Sequence, residues 1–336
     1  MIFLIETLTD YPWHKKTWDK FSSARTRKHL PHALLVTGEE GIGKKQFAEK
    51  LVQSLLCHKP SNNKPCEQCN GCKTYTAGSN PDFMEIQIAE DKKQISVDQI
   101  RALSKFITLS RSFDFYRVIL LHPVEAMNVN AANSLLKSLE EPADNTIIIL
   151  LATSLNQIIP TIKSRCQLLS LPKPSYRQAT DWLQINAPDL SNVKERLDLS
   201  FGRPLIALKI DDIDIDKAAD FANAILQVVK ENKSITEVAK VWEKTQHADL
   251  INWQISWLQS FTKQQLMNQN DNKEFKEVSP LEQDLSEIKA HIDAEPSWEL
   301  YQNILEQKKY LHTSVNPLMF VENMLVLWFK ASHPCR

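Results

Sequence analysis

The sequence predicts an α/β domain built around a doubly wound parallel sheet, followed by a C-terminal part made of helices. In the first half, short apolar runs rich in β-branched residues alternate with stretches of helical periodicity. Beyond residue 211, helical periodicity dominates. The 336-residue chain contains only six glycines, which argues against an all-β fold with many tight turns.

The five predicted strands are separated by segments with helical spacing or turn residues. They cover residues 33–37, 83–88, 118–121, 147–153 and 167–171. The main predicted helices cover residues 17–26, the stretch after residue 45, the stretch after a capping box at 96–99, and residues 130–141, 218–229, 251–261, 288–304 and 317–328. Polar residues 268–277 are predicted to form a loop, and Pro-Lys-Pro at 172–174 marks a domain boundary.

Composition and charge exclude several classes of protein. The chain is 43% hydrophobic and 24% charged, which is ordinary for a globular protein. A formal net charge of −1 excludes a strongly basic nucleic-acid binder, although a local basic face remains open. We expect no membrane span, because no run of about eighteen apolar residues occurs. The first residues lack the features of a signal peptide. Six cysteines, four of them within residues 57–72, indicate metal ligands in a reducing cytoplasm, so we expect a cytoplasmic protein.

A glycine-rich loop follows the first predicted strand and precedes a predicted helix. It follows the phosphate-binding pattern G-x-x-x-x-G-K-[ST] up to its last position. Gly38 and Gly43 would let backbone N–H groups face a phosphate, and Lys44 would reach the outer phosphates. The last position requires a hydroxyl that holds Mg²⁺, but Lys45 stands there, and an ammonium group has no acceptor for a cation. The loop therefore lacks its metal ligand, and nucleotide binding is left open.

The third predicted strand ends without the acidic pair that nucleotide hydrolysis needs. In enzymes of this plan, one carboxylate at this point holds Mg²⁺ and the other orients the attacking water. Here the strand ends in His122 and Pro123. Proline has no polar side chain, and histidine is a poor ligand for a hard cation. Glu125 follows shortly after, and we interpret it as a surface carboxylate.

Four of the six cysteines cluster behind the predicted loop helix. Cys57, Cys66, Cys69 and Cys72 have the spacing C-x8-C-x2-C-x2-C. Four thiolates at this spacing predict a tetrahedral, structural Zn²⁺ site, because four protein ligands leave no open coordination position. Four unrelated buried cysteines are the alternative, and the clustering disfavours it. His58 is an alternative ligand to one cysteine, but a solvated histidine is favoured.

Taken together, these motifs resemble bacterial clamp-loader subunits of the AAA+ class. The resemblance is carried by the cysteine module, by the stretches ISVDQIR at 95–101 and ANSLLKSLEEP at 132–142, and by SRC at 164–166. Within that class the chain is more similar to the delta prime subunits of DNA polymerase III than to the gamma/tau motor. The YPW stretch at 11–13, the altered loop and the missing acidic pair carry this distinction.

The resemblance implies an architecture of three domains. These are an AAA+ domain with a RecA-like sheet at residues 1–172 (zinc module at 57–72), a helical lid at 173–210 and a helical collar at 211–336, which joins subunits. It also implies a function within the DNA polymerase III holoenzyme, a DNA-directed DNA polymerase of the replisome at the nucleoid. The implied partners are the gamma/tau motor subunits and the delta subunit. The sliding clamp and primed DNA are reached through the complex.

The resemblance also implies a role for Arg165, in the SRC stretch. An arginine at this position enters the ATP site of the neighbouring subunit, where it neutralises charge that develops on the transferred phosphoryl group. A second arginine of the motor subunits aligns with Leu205, and that role is not assigned to Arg203, two positions away. Thr153 matches a polar residue at the end of the fourth strand, but its role is uncertain without a metal or water to position.

Three functions were weighed on these residues. The favoured one is a non-hydrolysing stator that supplies Arg165 to its neighbour. An active ATPase motor is disfavoured, because positioning and metal electrostatics provide most of the catalysis of phosphoryl transfer. A zinc-dependent nucleic-acid binder is disfavoured, because few basic residues surround the cysteines and the net charge is near zero.

Overall fold

The computed structural model describes residues 11–27, 29–113, 115–266, 280–311 and 313–333. It divides into two compact units, one formed by Met1–Asn186 with Arg203–Ile206 and the other by Ala187–Gly202 with Ala207–Arg336. The helix Tyr176–Asn186, which follows the boundary expected at residue 172, belongs to the first unit. The division into three domains stays a prediction.

The first unit contains a five-stranded parallel sheet with the strand order β2-β3-β4-β1-β5. All five predicted strands are present, and their ends differ from the prediction by no more than two residues. The strands are β1 (Ala33–Thr37), β2 (Phe83–Ile86), β3 (Arg117–Leu121), β4 (Thr146–Ala152) and β5 (Gln167–Ser170). Every residue of β1, β3 and β4 is buried, which explains why these strands are continuously apolar rather than alternating.

Helices cover both faces of this sheet, so the doubly wound arrangement is confirmed. Alternate residues of each strand point to opposite faces. On one face, Leu34 and Val36 pack with the helix Lys44–Leu56, which follows the glycine-rich loop. On the other face, Leu35 packs in a core with the apolar residues of the helices Val97–Thr108 and Val129–Glu140. The helices of this unit are α1 (Lys15–Thr26), α2 (Lys44–Leu56), α3 (Asn70–Thr76), α4 (Val97–Thr108), α5 (Val129–Glu140), α6 (Pro160–Lys163) and α7 (Tyr176–Asn186).

A buried ion pair anchors the first residue of β3. The side chains of Arg117 and Asp82 are each 2% exposed, and Arg117 Nη2 lies 3.2 Å from Asp82 Oδ1. Arg117 also donates to four backbone carbonyl oxygens in the last turn of α4 and just after it. They belong to Phe106, Ile107, Leu109 and Ser110. Because buried charges are tolerated only when they are paired and hydrogen-bonded, this contact fixes the chain between α4 and β3.

Helices, and no strands, make up the regular secondary structure of the described residues of the second unit. The later helices are α8 (Val193–Leu199), α9 (Pro204–Ala207, which lies across the division between the units), α10 (Asp212–Val229), α11 (Ile235–Trp242), α12 (His247–Leu266), α13 (Pro280–Ala290), α14 (Ala294–Gln307) and α15 (Pro317–Ser332). The predicted single span at 288–304 is wrong, because it is divided between α13 and α14. Helix α11 was not predicted, although Ser234 and Glu237 form its capping box. The loop predicted at 268–277 lies outside the described residues.

The apolar residues of the last helix pack into the core of the second unit. Trp328 is fully buried, and its indole N–H donates to Gln254 Oε1 at 2.6 Å. Gln254 in turn donates to the carbonyl oxygen of Leu250, so the Trp328 indole and the Gln254 amide are both hydrogen-bonded in this core. Five other residues of α15 are also buried: Phe320, Val321, Met324, Leu325 and Ala331. Among the described residues, no helix combines the length and apolar character that crossing a membrane requires.

Candidate functional site

The glycine-rich loop joins the end of β1 to the start of α2. Gly41 and Gly43 have φ angles of +80° and +87°, which favour glycine because a Cβ is strained there. At Gly38, a Cβ would lie 2.7 Å from Ile42 Cδ1 and 3.1 Å from the carbonyl oxygen of Leu171. The positive φ angles and close contacts within the fold therefore explain why glycine occupies these three positions.

Two side chains from the start of the chain hold the Ile42 carbonyl oxygen of this loop. The Trp13 indole N–H donates to it at 2.9 Å, and His14 Nε2 lies 2.8 Å from it. Because a carbonyl oxygen only accepts, His14 Nε2 must carry the hydrogen. The His14 side chain is buried, and burial lowers its pKa to about 4, so the ring is neutral at pH 7.

Residues that follow the sheet also contact the loop. The Leu205 N–H donates to the Gly41 carbonyl oxygen at 3.1 Å, and a Cβ on Gly41 would lie 2.5 Å from Ile206 Cγ1. The Trp182 ring of α7 lies 5.3 Å from the Tyr11 ring. The loop is therefore held from two directions by protein groups, and the sequence pattern gave no sign of this.

The two lysines at the end of the loop make different contacts. Lys44 Nζ donates to the Glu39 carbonyl oxygen within the loop at 2.8 Å. Burial lowers the pKa of Lys44, while the nearby carboxylates of Glu40, Glu125 and Glu39 oppose that shift. Lys45 is half exposed and points its ammonium group to carboxylates instead.

Glu85 of β2 joins Lys45 to the end of β3. Lys45 Nζ lies 3.8 Å from Glu85 Oε1 and 3.8 Å from Glu49 Oε1. His122 Nε2 lies 2.7 Å from the same Glu85 oxygen. Lys45 stands at the hydroxyl position of the loop pattern, and His122 stands where the acidic pair is expected. These two residues thus share the carboxylate of Glu85. The sequence analysis did not identify Glu85.

The interpretation of Glu125 as a surface carboxylate is wrong. Its Oε1 atom accepts hydrogen bonds from the backbone N–H groups of Thr153 and Ser154, the second at 2.9 Å. Its Oε2 atom is buried. Glu125 therefore fastens the chain just after β4 to the turn just after β3, and Thr153 takes part through its backbone.

The four predicted cysteine ligands lie together. The Sγ atoms of Cys57, Cys66, Cys69 and Cys72 are all within 4.8 Å of one another, and those of Cys57 and Cys69 are 3.9 Å apart. A tetrahedral zinc site with Zn–S bonds of about 2.3 Å has sulfur–sulfur distances of about 3.8 Å. The donor set and its spacing therefore fit a structural Zn²⁺ ion.

Backbone N–H groups support the cysteine cluster. The His58 N–H donates to Cys69 Sγ at 3.3 Å, and the Cys66 N–H donates to Cys57 Sγ at 3.2 Å. Burial raises the pKa of the Cys69 thiol, but hydrogen bonds from the backbone N–H groups of Cys72 and His58 outweigh it and lower this pKa to about 6. Such N–H···S contacts stabilise the thiolate form that binds metal.

The prediction of a solvated His58 is wrong. Its ring stacks on Phe115 with the ring centroids 4.5 Å apart and an interplanar angle of 6°, and the Phe113 ring is 4.9 Å away. Its Nε2 atom is buried. The contact with residues far along the chain ties the cysteine module to the segment that precedes β3.

Arg165 lies between helix α6 and strand β5. Its Nη2 atom is 2.5 Å from Glu140 Oε1, and its Nη1 atom donates to the Thr161 carbonyl oxygen at 3.1 Å. The side chain is 34% exposed. Arg165 therefore has a fixed orientation and an exposed portion at the same time.

Arg165 and the glycine-rich loop lie at opposite edges of the sheet. The strands are all parallel, the loop follows β1, and Arg165 precedes β5, which pairs directly with β1. The loop is therefore at the carboxyl edge and Arg165 at the amino edge, separated by the length of a strand, about 16 Å for five residues. The structure brings together Gly38, Gly43 and Lys44, and separately the four cysteines, whereas Arg165 stands apart from both.

Comparisons with known proteins agree on one family. A family model described as DNA polymerase III, delta subunit, matches residues 13–175. The DNA polymerase III subunit delta' of Pseudomonas aeruginosa is 31% identical over 329 residues, which cover 96% of this chain and 98% of that protein. The delta' subunit of Haemophilus influenzae is 29% identical over 258 residues, which cover 76% of this chain and 78% of that protein.

A solved structure of a DNA polymerase III gamma-subunit-related protein from Thermotoga maritima is 16% identical with a TM-score of 0.43, covering 93% of this chain and 100% of that one. The predicted α/β class is confirmed, with its five-stranded parallel sheet, its cysteine cluster and its helical C-terminal part. The chain belongs to the delta prime family of DNA polymerase III subunits.

Proposed function

We propose that this chain is a non-hydrolysing stator of the DNA polymerase III clamp loader, and that it supplies Arg165 in trans to the ATP site of a neighbouring motor subunit. Membership of the delta prime family makes it a clamp-loader component of DNA polymerase III. The stator role and the role of Arg165 go further, and they rest on the geometry of the two edges of the sheet.

The position of Arg165 relative to its own loop is the observation that carries the proposal. An arginine that stabilises a transferred phosphoryl group must touch that group. Arg165 precedes β5, whereas the loop of the same chain follows β1, so a strand length separates them. A partly exposed guanidinium group at the amino edge is suited to a phosphate bound by another subunit.

The contacts of Lys45 support the lack of hydrolysis by this chain. Phosphoryl transfer relies on Mg²⁺ held by a loop hydroxyl and an acidic residue. Here the ammonium group of Lys45 and the ring of His122 share the carboxylate of Glu85. Both positions carry nitrogen groups that suit Mg²⁺ poorly, because this ion prefers oxygen ligands. Nucleotide binding by Gly38, Gly43 and Lys44 stays open.

The remaining parts of the proposal follow the family. We propose that Cys57, Cys66, Cys69 and Cys72 hold a structural Zn²⁺ ion that stabilises the sheet domain. The expected partners are the gamma/tau motor subunits and the delta subunit, with the sliding clamp and primed DNA reached through the complex. A division into residues 1–172, 173–210 and 211–336, and a place in the cytoplasm at the replisome, belong to the same proposal.

The proposal is tested by measuring phosphate release from ATP. The purified chain alone should release none. In the reconstituted loader, Arg165→Ala should lower the DNA- and clamp-stimulated ATPase rate by about 10³-fold or more at the site that it serves, as for other arginines supplied in trans. Lys44→Ala should change that rate little, because the lysine contacts its own loop.

Arg101→Ala is the matched control for the loss of a positive charge. Arg101 is an exposed arginine of the same unit, and in the described part of the chain it forms an ion pair with Asp98 on the surface of α4. The Arg101→Ala variant should leave the ATPase rate of the loader unchanged. The proposal is refuted if the chain alone hydrolyses ATP in a reaction that depends on Lys44, or if Arg165→Ala behaves like Arg101→Ala.

A further inference from the structure

We infer that Glu140 is a positioning residue, which orients Arg165 for the phosphate of the neighbouring subunit. The inference rests on the proposed function of Arg165 and adds to it Glu140, a residue of the ANSLLKSLEEP stretch to which the sequence analysis gave no role. Glu140 is the last residue of helix α5, and its Oε1 atom lies 2.5 Å from Arg165 Nη2. The two oppositely charged groups therefore form a close ion pair.

The guanidinium group of Arg165 can contact Glu140 and a phosphate at the same time. An arginine has five N–H donors in a rigid plane. In the described residues, Nη2 forms the ion pair with Glu140, and Nη1 donates to the Thr161 carbonyl oxygen at 3.1 Å and to Ser164 Oγ at 3.4 Å. Among these residues the Nε–H has no hydrogen-bond partner, so it remains for a phosphate. Glu140 can therefore fix the plane of the group without occupying all of its hydrogen-bonding capacity.

Glu140 is itself held by the sheet. His32 Nε2 lies 2.9 Å from the carbonyl oxygen of Leu139, the residue before Glu140. The His32 carbonyl oxygen accepts from the N–H of Ile148 in β4 at 2.7 Å. The last turn of α5 is thus tied to the amino edge of the sheet, where Arg165 also lies. A functional side chain supported through rigid elements in this way is pre-organised for its contact.

The location of Glu140 argues against a purely local stabilising role. The carboxyl end of a helix carries partial negative charge, so a carboxylate in its last turn is disfavoured. The positive charge of Arg165 compensates Glu140 at this place. Both side chains are partly exposed, 34% for Arg165 and 47% for Glu140, and pairs of this kind add little to folding stability. The arrangement therefore contributes more to the orientation of Arg165 than to the fold.

The test is the ATPase activity of the reconstituted loader with Glu140→Ala. We expect kcat to fall about three- to tenfold, which corresponds to the loss of one charge-assisted contact while the two others of Arg165 remain. KM for ATP should change less than twofold, because Glu140 does not touch the nucleotide. Glu140→Gln keeps an acceptor at the same reach, so its kcat should lie between those of the wild type and the alanine variant.

A double-mutant cycle separates positioning from a general structural effect. In the Arg165→Ala background, Glu140→Ala should have no further effect, since Glu140 acts through that arginine. Glu141→Ala is the matched control, because Glu141 is the adjacent, exposed carboxylate. It should leave kcat unchanged, and all variants should assemble into the loader with the wild-type stoichiometry.

The outcomes distinguish this inference from the proposed function. If Arg165→Ala itself has no effect, the proposed function fails. If Arg165→Ala lowers the rate but Glu140→Ala leaves or raises it, only the positioning role fails, and a rise would mean that Glu140 restrains Arg165. A glutamine variant as slow as the alanine variant, or an effect of Glu140→Ala that persists without Arg165, would also overturn the positioning role.

Discussion

Lowering the pH from 7 to 5 should loosen the glycine-rich loop, because His14 is then protonated in the opened state but not in the folded one. His14 is buried and donates from Nε2 to the Ile42 carbonyl oxygen, and burial lowers its pKa to about 4. In the unfolded chain, histidine titrates near its ordinary pKa of about 6.5. Between these two values the unfolded state binds the additional proton and the folded loop does not.

The sign and size of the effect follow from this difference. Stability from a group whose folded pKa is lowered is fully present above the unfolded pKa and is lost as the pH falls towards the folded pKa. The loss is about 1.4 kcal/mol per pH unit in this window. From pH 7 to pH 5, the His14 contribution to the free energy of opening should fall by about 2 kcal/mol.

Amide hydrogen exchange followed by mass spectrometry measures this locally, on peptides that cover residues 38–47. After correction for the pH dependence of intrinsic exchange, the wild-type loop should show opening free energies that fall with pH as described. His14→Gln keeps an N–H donor near the Ile42 oxygen but does not titrate, so its loop should lose most of this pH dependence. His29→Gln is the control, because His29 is an exposed histidine of the same unit.

The comparison between variants removes the contributions of other groups that titrate in this range, including the Cys69 thiol. The reasoning is refuted if the loop of His14→Gln shows the same pH dependence as the wild type. It is equally refuted if His29→Gln removes that dependence, since the exposed ring makes no contact with Ile42.

Two further predictions concern the stability of the first unit. Removing metal with a chelator should lower the melting temperature of this unit, because metal binding by such clusters contributes directly to folding. Cys69→Ser should release the metal and lower the melting temperature in the same way. Elemental analysis that finds no zinc in the purified protein would contradict this prediction. Arg117→Met should cost about 3–5 kcal/mol in urea unfolding, because it leaves the buried Asp82 carboxylate without its ion-pair partner. The double variant with Asp82→Leu should cost less, and a single variant as stable as the wild type would exclude the buried pair as an anchor.

Much of the sheet domain could be predicted from the sequence because its signals are local. Strands β1, β3 and β4 are runs of buried, mostly apolar residues, and the register of β1 with β4 follows once both are identified. Helix α4 was recognised from the capping box of Ser96 and Gln99, which the structure confirms. The same signal at Ser234 and Glu237 could have predicted helix α11, so that omission was avoidable.

The contacts of the candidate site were less predictable, because they join residues that are distant in the sequence. From the sequence alone, Glu125 was interpreted as a surface carboxylate. In the fold the ends of β3 and β4 are adjacent, and its Oε1 atom accepts hydrogen bonds from two backbone N–H groups. His58 was predicted to be solvated, but in the fold the rings of Phe113 and Phe115 pack against its ring. The residue types gave no local signal for these contacts, and only the tertiary arrangement explains them.

The loop illustrates why a match to a phosphate-binding pattern does not by itself argue for nucleotide binding. Gly38, Gly41 and Gly43 are each required by a close approach or a positive φ angle, and Ile42 is held by Trp13 and His14. These protein contacts are sufficient reason for the glycine spacing. A functional argument must therefore come from groups whose placement the fold does not require. Arg165 is such a group, because its guanidinium is partly exposed and, among the described residues, its Nε–H has no hydrogen-bond partner.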